Sequence, residues 1–199
     1  MEPSDTKAHG ARRAAGRGTA TAFFVCAVLV AWFLMMLVHE LGHVLGALVT
    51  GGRIAGVVWH PLEFSRTDLS QNPHPLPVVI AGPLLGSALP IVLWLASRVK
   101  WQDVAVLLRG FAGFCLVANG AYLASAIVMP VGDTQDLVRL GAPAWLVALP
   151  GVALLGFGLA LWNGVGAQVR SLVTPRSTIT MGLSLLAVLV AMLVWSWLG

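Results

Sequence analysis

The stretch His39-Glu40-Leu41-Gly42-His43 places two imidazoles four residues apart, with a carboxylic acid directly after the first. On a helix, residues at i and i+4 lie one turn apart on the same face. Both imidazole nitrogens can therefore reach one Zn²⁺, at about 2.0–2.1 Å each. Glu40 then lies beside the metal, where a carboxylate takes a proton from a zinc-bound water. A catalytic zinc takes a third protein ligand and keeps water in the fourth position, and the rest of the chain must supply that ligand. Two acids stand out in the segment Val131-Gly132-Asp133-Thr134-Gln135-Asp136. Asp133 or Asp136 is the candidate that completes a shell of two imidazoles and one carboxylate, and Gly132 lets the backbone come close to the metal. The competing reading is a solvated loop in which Asp133 caps a helix beginning at Thr134.

The setting of the triad sharpens the metal reading. An apolar run opens at Thr21 and carries no charge as far as Val38. A charged side chain at the centre of a bilayer costs about 2.5–3.5 kcal/mol, so it is rarely kept without a use. The whole chain has the same character: hydrophobic residues make up 58% of its 199 residues and charged ones 10%, against about 25% charged in a soluble domain. Such a chain cannot cover itself with polar surface in water. The net charge of +4 does not indicate nucleic acid, because the basic residues form no patch and fall between apolar runs, as membrane-flanking charges do. Cys26 and Cys115 both lie in apolar runs and read as packing residues.

These properties predict an all-α integral membrane protein with about five transmembrane helices and a short β-hairpin after the first. Residues 1–18 are small, polar and basic and read as a disordered tail, His9 included; residues 19–199 form the membrane-embedded domain. A signal peptide is excluded by the length of the uncharged run. Helices are expected at about 21–49, 78–97, 104–129, 144–162 and 178–198. The first ends at the Thr50-Gly51-Gly52 stop. Residues 53–65 alternate β-formers around His60-Pro61 and read as the hairpin, whose free edge can pair with an extended substrate strand. Residues 66–77 read as a proline-rich loop; His60 and His74 lie in connecting segments without a partner at ligand spacing. The second helix is expected to break at Ala81-Gly82-Pro83 and Pro90. Asn119, near the middle of the third, either bonds a neighbouring helix or faces the site, where it would touch substrate. Trp195 and Trp197 suit the membrane interface at the end of the fifth.

With the basic tail in the cytoplasm, five spans leave only Arg53, Arg66 and Arg139 of the twelve Lys and Arg residues on the far side. The same topology puts the ends of the first and third helices on one face, so His39, His43 and Asp133 are expected at similar depth. It opens the site away from the cytoplasm.

On His39-Glu40-Leu41-Gly42-His43, the following Thr50-Gly51-Gly52-Arg53, the Ala81-Gly82-Pro83 stretch and the Gly132-Asp133 pair, the chain resembles the intramembrane site-2 protease family of zinc metallopeptidases, and its small bacterial members most. The resemblance covers about residues 38–140. It implies a three-helix catalytic core with a β-hairpin after the metal helix, in a bacterial cell membrane. Zinc would be held there by His39, His43 and one Asp, with Glu40 as the base in cleavage of transmembrane protein substrates. The chain departs from the family in two respects. The family's N-x-x-P-x-x-x-L-D-G stretch at the third ligand is absent, with Asn119 too far from Asp133 for that spacing. The family also turns its zinc towards the cytosol, whereas the charge count turns it outward. The alternative reading is a membrane protein that binds zinc, or a partner helix, without cleaving anything.

Overall fold

Long uncharged runs of Leu, Val, Ala and Ile satisfy their backbone polar groups only by closing i→i−4 hydrogen bonds, which is why apolar sequence in a bilayer becomes helix. The structure, a computed structural model, describes the backbone of residues 3–198 and the side chains of residues 16–198. Among these residues the chain forms α1 (Pro3–Val49), β1 (Arg53–Val58), β2 (Arg66–Gln71), α2 (Pro75–Ser97) and α3 (Gln102–Ala124). A 3-10 turn (Ser125–Ile127) leads to α4 (Asp133–Arg139), α5 (Ala144–Trp162), α6 (Val165–Leu172) and α7 (Pro175–Leu198). Five of the helices are long and apolar enough to cross a membrane: Gly16–Val49, Pro75–Ser97, Gln102–Ile127, Ala144–Trp162 and Pro175–Leu198. The molecule is an α-helical, multi-pass membrane protein with one small hairpin, and its lipid-facing helix surfaces are Leu, Val, Ile and Trp.

Four local differences from the sequence reading have physical reasons. The tail expected to be disordered continues α1 from Pro3, as its Ala, Arg and Lys content favours; Met1, Glu2 and the His9 side chain lie outside the described residues. The hairpin's first strand falls where expected, but the second is Arg66–Gln71, inside the stretch read as a loop. Its residues alternate half-buried Thr67 and Leu69 with exposed Arg66, Asp68 and Ser70, a period-two pattern with too few apolar residues to stand out. The strands pair antiparallel, Val57 opposite Thr67 and Val58 opposite Arg66, with irregular register around Ile54 and Gly56. Third, α2 runs unbroken through Pro83 and Pro90, which membrane helices tolerate where neighbours re-satisfy the freed carbonyls. Fourth, α6 is a short helix in a stretch read as a loop, and the helix expected from Thr134 under the capping reading begins at Asp133 as α4, with Gly132 and not Asp133 at its N-cap position.

Helices in lipid gain nothing from burying Leu against Leu, so they pack where small residues let backbones touch. Two such seams build the core. In one, Gly42 and Gly46 of α1 lie against Ala81 and Val78 of α2, and a Cβ at Gly42 would overlap the Ala81 carbonyl. In the other, Gly113 and Gly120 of α3 meet Gly151 and Gly158 of α5, with no room for a methyl group at any of the four. The middle helices α2 and α3 also pack on each other. Helix α7 sits outside this block against α1, and Met192 is its one buried residue.

Candidate metal centre

The α1–α2 seam sets the depth and direction of the histidines. Gly42 lies between them on α1, and its contact with α2 brings both imidazoles over Gly82, where any Cβ would overlap His43 Nε2 and crowd His39 Nε2. The two rings stand 4.9 Å apart at 71°, as expected one helical turn apart. Each is held by its other nitrogen. His43 Nδ1 is 2.9 Å from the Val78 carbonyl of α2, and His39 Nδ1 is 3.0 Å from Asn119 Oδ1 of α3. Asn119 Nδ2 donates to the Cys115 carbonyl at 2.9 Å, which turns the amide oxygen towards His39. Asn119 is thus buried, faces the site, and is engaged with a histidine and its own helix.

The carboxylate arrives from the opposite side. The chain leaves the 3-10 turn and reverses at Gly132, whose φ of +51° is open to glycine but strained for other residues. The Asp133 N–H, at the start of α4, donates to the Tyr122 hydroxyl at 2.6 Å. This fixes the turn to α3 and aims the Asp133 side chain inward. Asp133 Oδ2 lies 2.8 Å from His39 Nε2 and Oδ1 lies 3.3 Å from His43 Nε2. Burial raises the carboxyl's pKa, and hydrogen bonds donated by His39 and then His43 outweigh it and lower it to about 2, which holds only for rings that carry a hydrogen on Nε2. Asp136 lies one helical turn on, half-exposed, and pairs with Arg139 at 3.6 Å. Of the two aspartates, Asp133 meets the histidines.

His39, His43 and Asp133 each offer a ligand atom within 4.8 Å of the others, and the group can hold a metal ion. The donor chemistry fits one. Val78 offers His43 only a carbonyl, and Asn119 offers His39 only its amide oxygen, so each Nδ1 carries the ring hydrogen and each Nε2 presents a lone pair. Those lone pairs point at a carboxylate, which presents lone pairs of its own. Without a cation, closing the cluster needs a second proton on each of two adjacent imidazoles. A divalent cation satisfies all three groups at once, and the Nδ1 partners are the kind of outer contact that orients metal-bound histidine.

No family model, curated protein or solved structure matches the chain. Residue-level geometry is therefore what describes the site.

Glu40 is 3% exposed and sits beside the cluster on α1. Its Oε2 accepts a hydrogen bond from Thr67 Oγ1 of β2 at 2.8 Å, while Oε1 has no hydrogen-bond partner among the described residues. The cluster opens into a cavity of about 790 Å³, walled by α1 (Trp32, Met36), β2 (Thr67), α3 (Asn119, Tyr122) and α4 (Asp133). Asn72 also lines this cavity, and its Oδ1 is buried with no hydrogen-bond partner among the described residues. Thr67, Asn72 and Tyr122 were not singled out from sequence: Thr67 and Asn72 sit in a stretch without periodic apolar signal, and Tyr122 is an apolar-helix residue among many. One signal was present, since Tyr122 is the chain's single tyrosine. His60 and His74 lie away from the cluster, as expected; His60 Nδ1 accepts from the Leu62 N–H at 3.2 Å within its own turn.

Proposed function

We propose that the protein is a zinc-dependent intramembrane endopeptidase of the site-2 protease kind, acting on transmembrane protein substrates in a bacterial cell membrane, with its N-terminus in the cytoplasm. The observation that carries this reading is the meeting of His39 Nε2, His43 Nε2 and Asp133 at one point, with the Glu40 carboxylate buried beside them on the wall of a peptide-sized cavity. His39, His43 and Asp133 would hold the zinc, which would supply Lewis acidity and make a water acidic enough to give up a proton near pH 7. Glu40 then has the role of general base. Oε2 is tied to Thr67, so the proton is taken at Oε1 and returned from there to the leaving nitrogen. The water oxygen ends on the acyl carbon as the C–N bond breaks, and one water proton travels through Glu40 to the amine. A helical substrate must unwind first, because its carbonyls are engaged within the helix. The outer edge of β2 has no backbone partner among the described residues, and it offers an extended segment a strand to pair with.

The test uses purified protein in detergent with a panel of single-span substrates. Wild type is expected to hold one zinc per chain and to cleave within the substrate's membrane segment. Glu40→Gln is expected to keep the metal and lose cleavage by a factor of about 10² or more. Undiminished cleavage by Glu40→Gln removes the base assignment, and metal without any cleavage by wild type leaves a zinc-binding membrane protein.

A further inference from the structure

The hydroxyl of Thr67 is the side-chain group bonded to Glu40, and it comes from the hairpin rather than from the helices that hold the metal ligands. Its Oγ1 donates to Glu40 Oε2 at 2.8 Å, with the Glu40 backbone carbonyl 3.5 Å away. We infer that Thr67 is the positioning residue for Glu40: it fixes which carboxylate oxygen is free and where that oxygen points. This inference rests on the endopeptidase reading above. Three observations support it. Glu40 is 3% exposed, so water cannot substitute for the missing donor without cost. A glutamate on a helix has several staggered rotamers open to it, and the bond to β2 selects one. The alternation of β2 turns Thr67 and Leu69 inward while Arg66, Asp68 and Ser70 stay exposed, so the contact follows from strand register. A slip of one residue would replace Thr67 by a charged neighbour.

Two substitutions separate a positioning role from a merely structural one. Thr67→Val removes the hydroxyl, keeps the shape and favours the strand; Thr67→Ser keeps the hydroxyl. Thr67→Val is expected to retain the zinc and the KM of wild type while kcat falls between about 10- and 100-fold, and Thr67→Ser to recover most of the loss. A second readout needs no turnover. The chain has three glutamates, Glu2, Glu40 and Glu63, so the ¹³C side-chain carboxyl resonance of Glu40 is identified by its loss in Glu40→Gln. Thr67→Val should move that resonance and Thr67→Ser should leave it near the wild-type position. An unmoved resonance in Thr67→Val, wild-type kcat in that variant, or a serine no better than valine would each overturn the inference. If wild type binds zinc and cleaves nothing, the endopeptidase reading falls, and the glutamate resonance alone decides whether Thr67 holds Glu40.

Discussion

Helices α2 and α7 are nearly equal in length, 23 and 24 residues, and both are strongly apolar. They do opposite work. The buried residues of α2 are Val78, Gly82, Pro83, Gly86, Ser87, Pro90 and Ser97, all but Val78 small or proline. In α7 only Met192 is buried, and its large residues, among them Leu183, Leu186 and Val190, face outward. The difference shows that hydropathy fixes whether a segment enters the membrane, whereas residue size fixes whether it meets another segment there. The site stands on the second property. Histidines at the right spacing are useless unless a backbone comes close enough to seat them, and α2 does this at Gly82 and Val78.

The comparison is broken most severely at Gly82. Gly82→Ala is expected to abolish zinc binding as fully as His39→Ala, because the new methyl occupies the space of His43 Nε2. Gly182→Ala is the matched control in α7, where a Cβ meets nothing within 4 Å; it should leave metal content and thermal stability unchanged. Zinc retained in Gly82→Ala would mean that α1 and α2 slide apart freely and that the seam does not set the site. Next in size are the carboxylates. Asp133→Asn is expected to lose the metal, and Asp136→Asn, which gives up only a half-exposed pair with Arg139, should keep it. Zinc content of the two purified variants decides the third ligand. A smaller effect is expected at Asn119→Ala. It removes the partner of His39 Nδ1 while leaving all three ligands, so metal affinity should fall by about 10–100-fold with the stoichiometry unchanged at high zinc.

What was legible in the sequence divides along the same line. The helix-spaced imidazoles, the charge-free runs and the glycine stop at Thr50-Gly51-Gly52 all act locally, through helix period or hydropathy, and each fell where expected: residues 144–162 were read as a helix and α5 is Ala144–Trp162. Asp133 was legible as one of two candidates because acids are scarce in this chain. Choosing between them was not, since the choice is made by the Gly132 turn and the Tyr122 hydroxyl, a contact between positions eleven residues apart. Strand β2 escaped notice because its apolar alternation is carried by Thr67 and Leu69 alone. Thr67's bond to Glu40 spans 27 residues, and nothing in the local pattern announces it. The role of Gly82 needed the fold outright: one glycine among the chain's 22 is distinguished by what lies above it.

The weakest expected effect tests whether α7 is truly outside the site. Trp195, near its end, donates from Nε1 to the Val57 carbonyl of β1 at 2.7 Å, and Val57 stands opposite Thr67 in the ladder. The hairpin is therefore tied to α7 on one side and to Glu40 on the other. Trp195→Phe keeps an aromatic ring and removes this one donor, so the loss is that of a single hydrogen bond, about 0.5–1.5 kcal/mol. The expected result is local: amide exchange in β1 and β2 speeds up by about two- to tenfold, with zinc content unchanged and the unfolding midpoint barely lowered. A loss of metal on the scale of Asn119→Ala would place α7 in the frame that seats the histidines and dissolve the contrast with α2. Unchanged exchange would show that the hairpin's position is set from the α1 side alone, by Trp59 Nε1 donating to the Phe33 carbonyl at 3.1 Å and by Thr67 on Glu40.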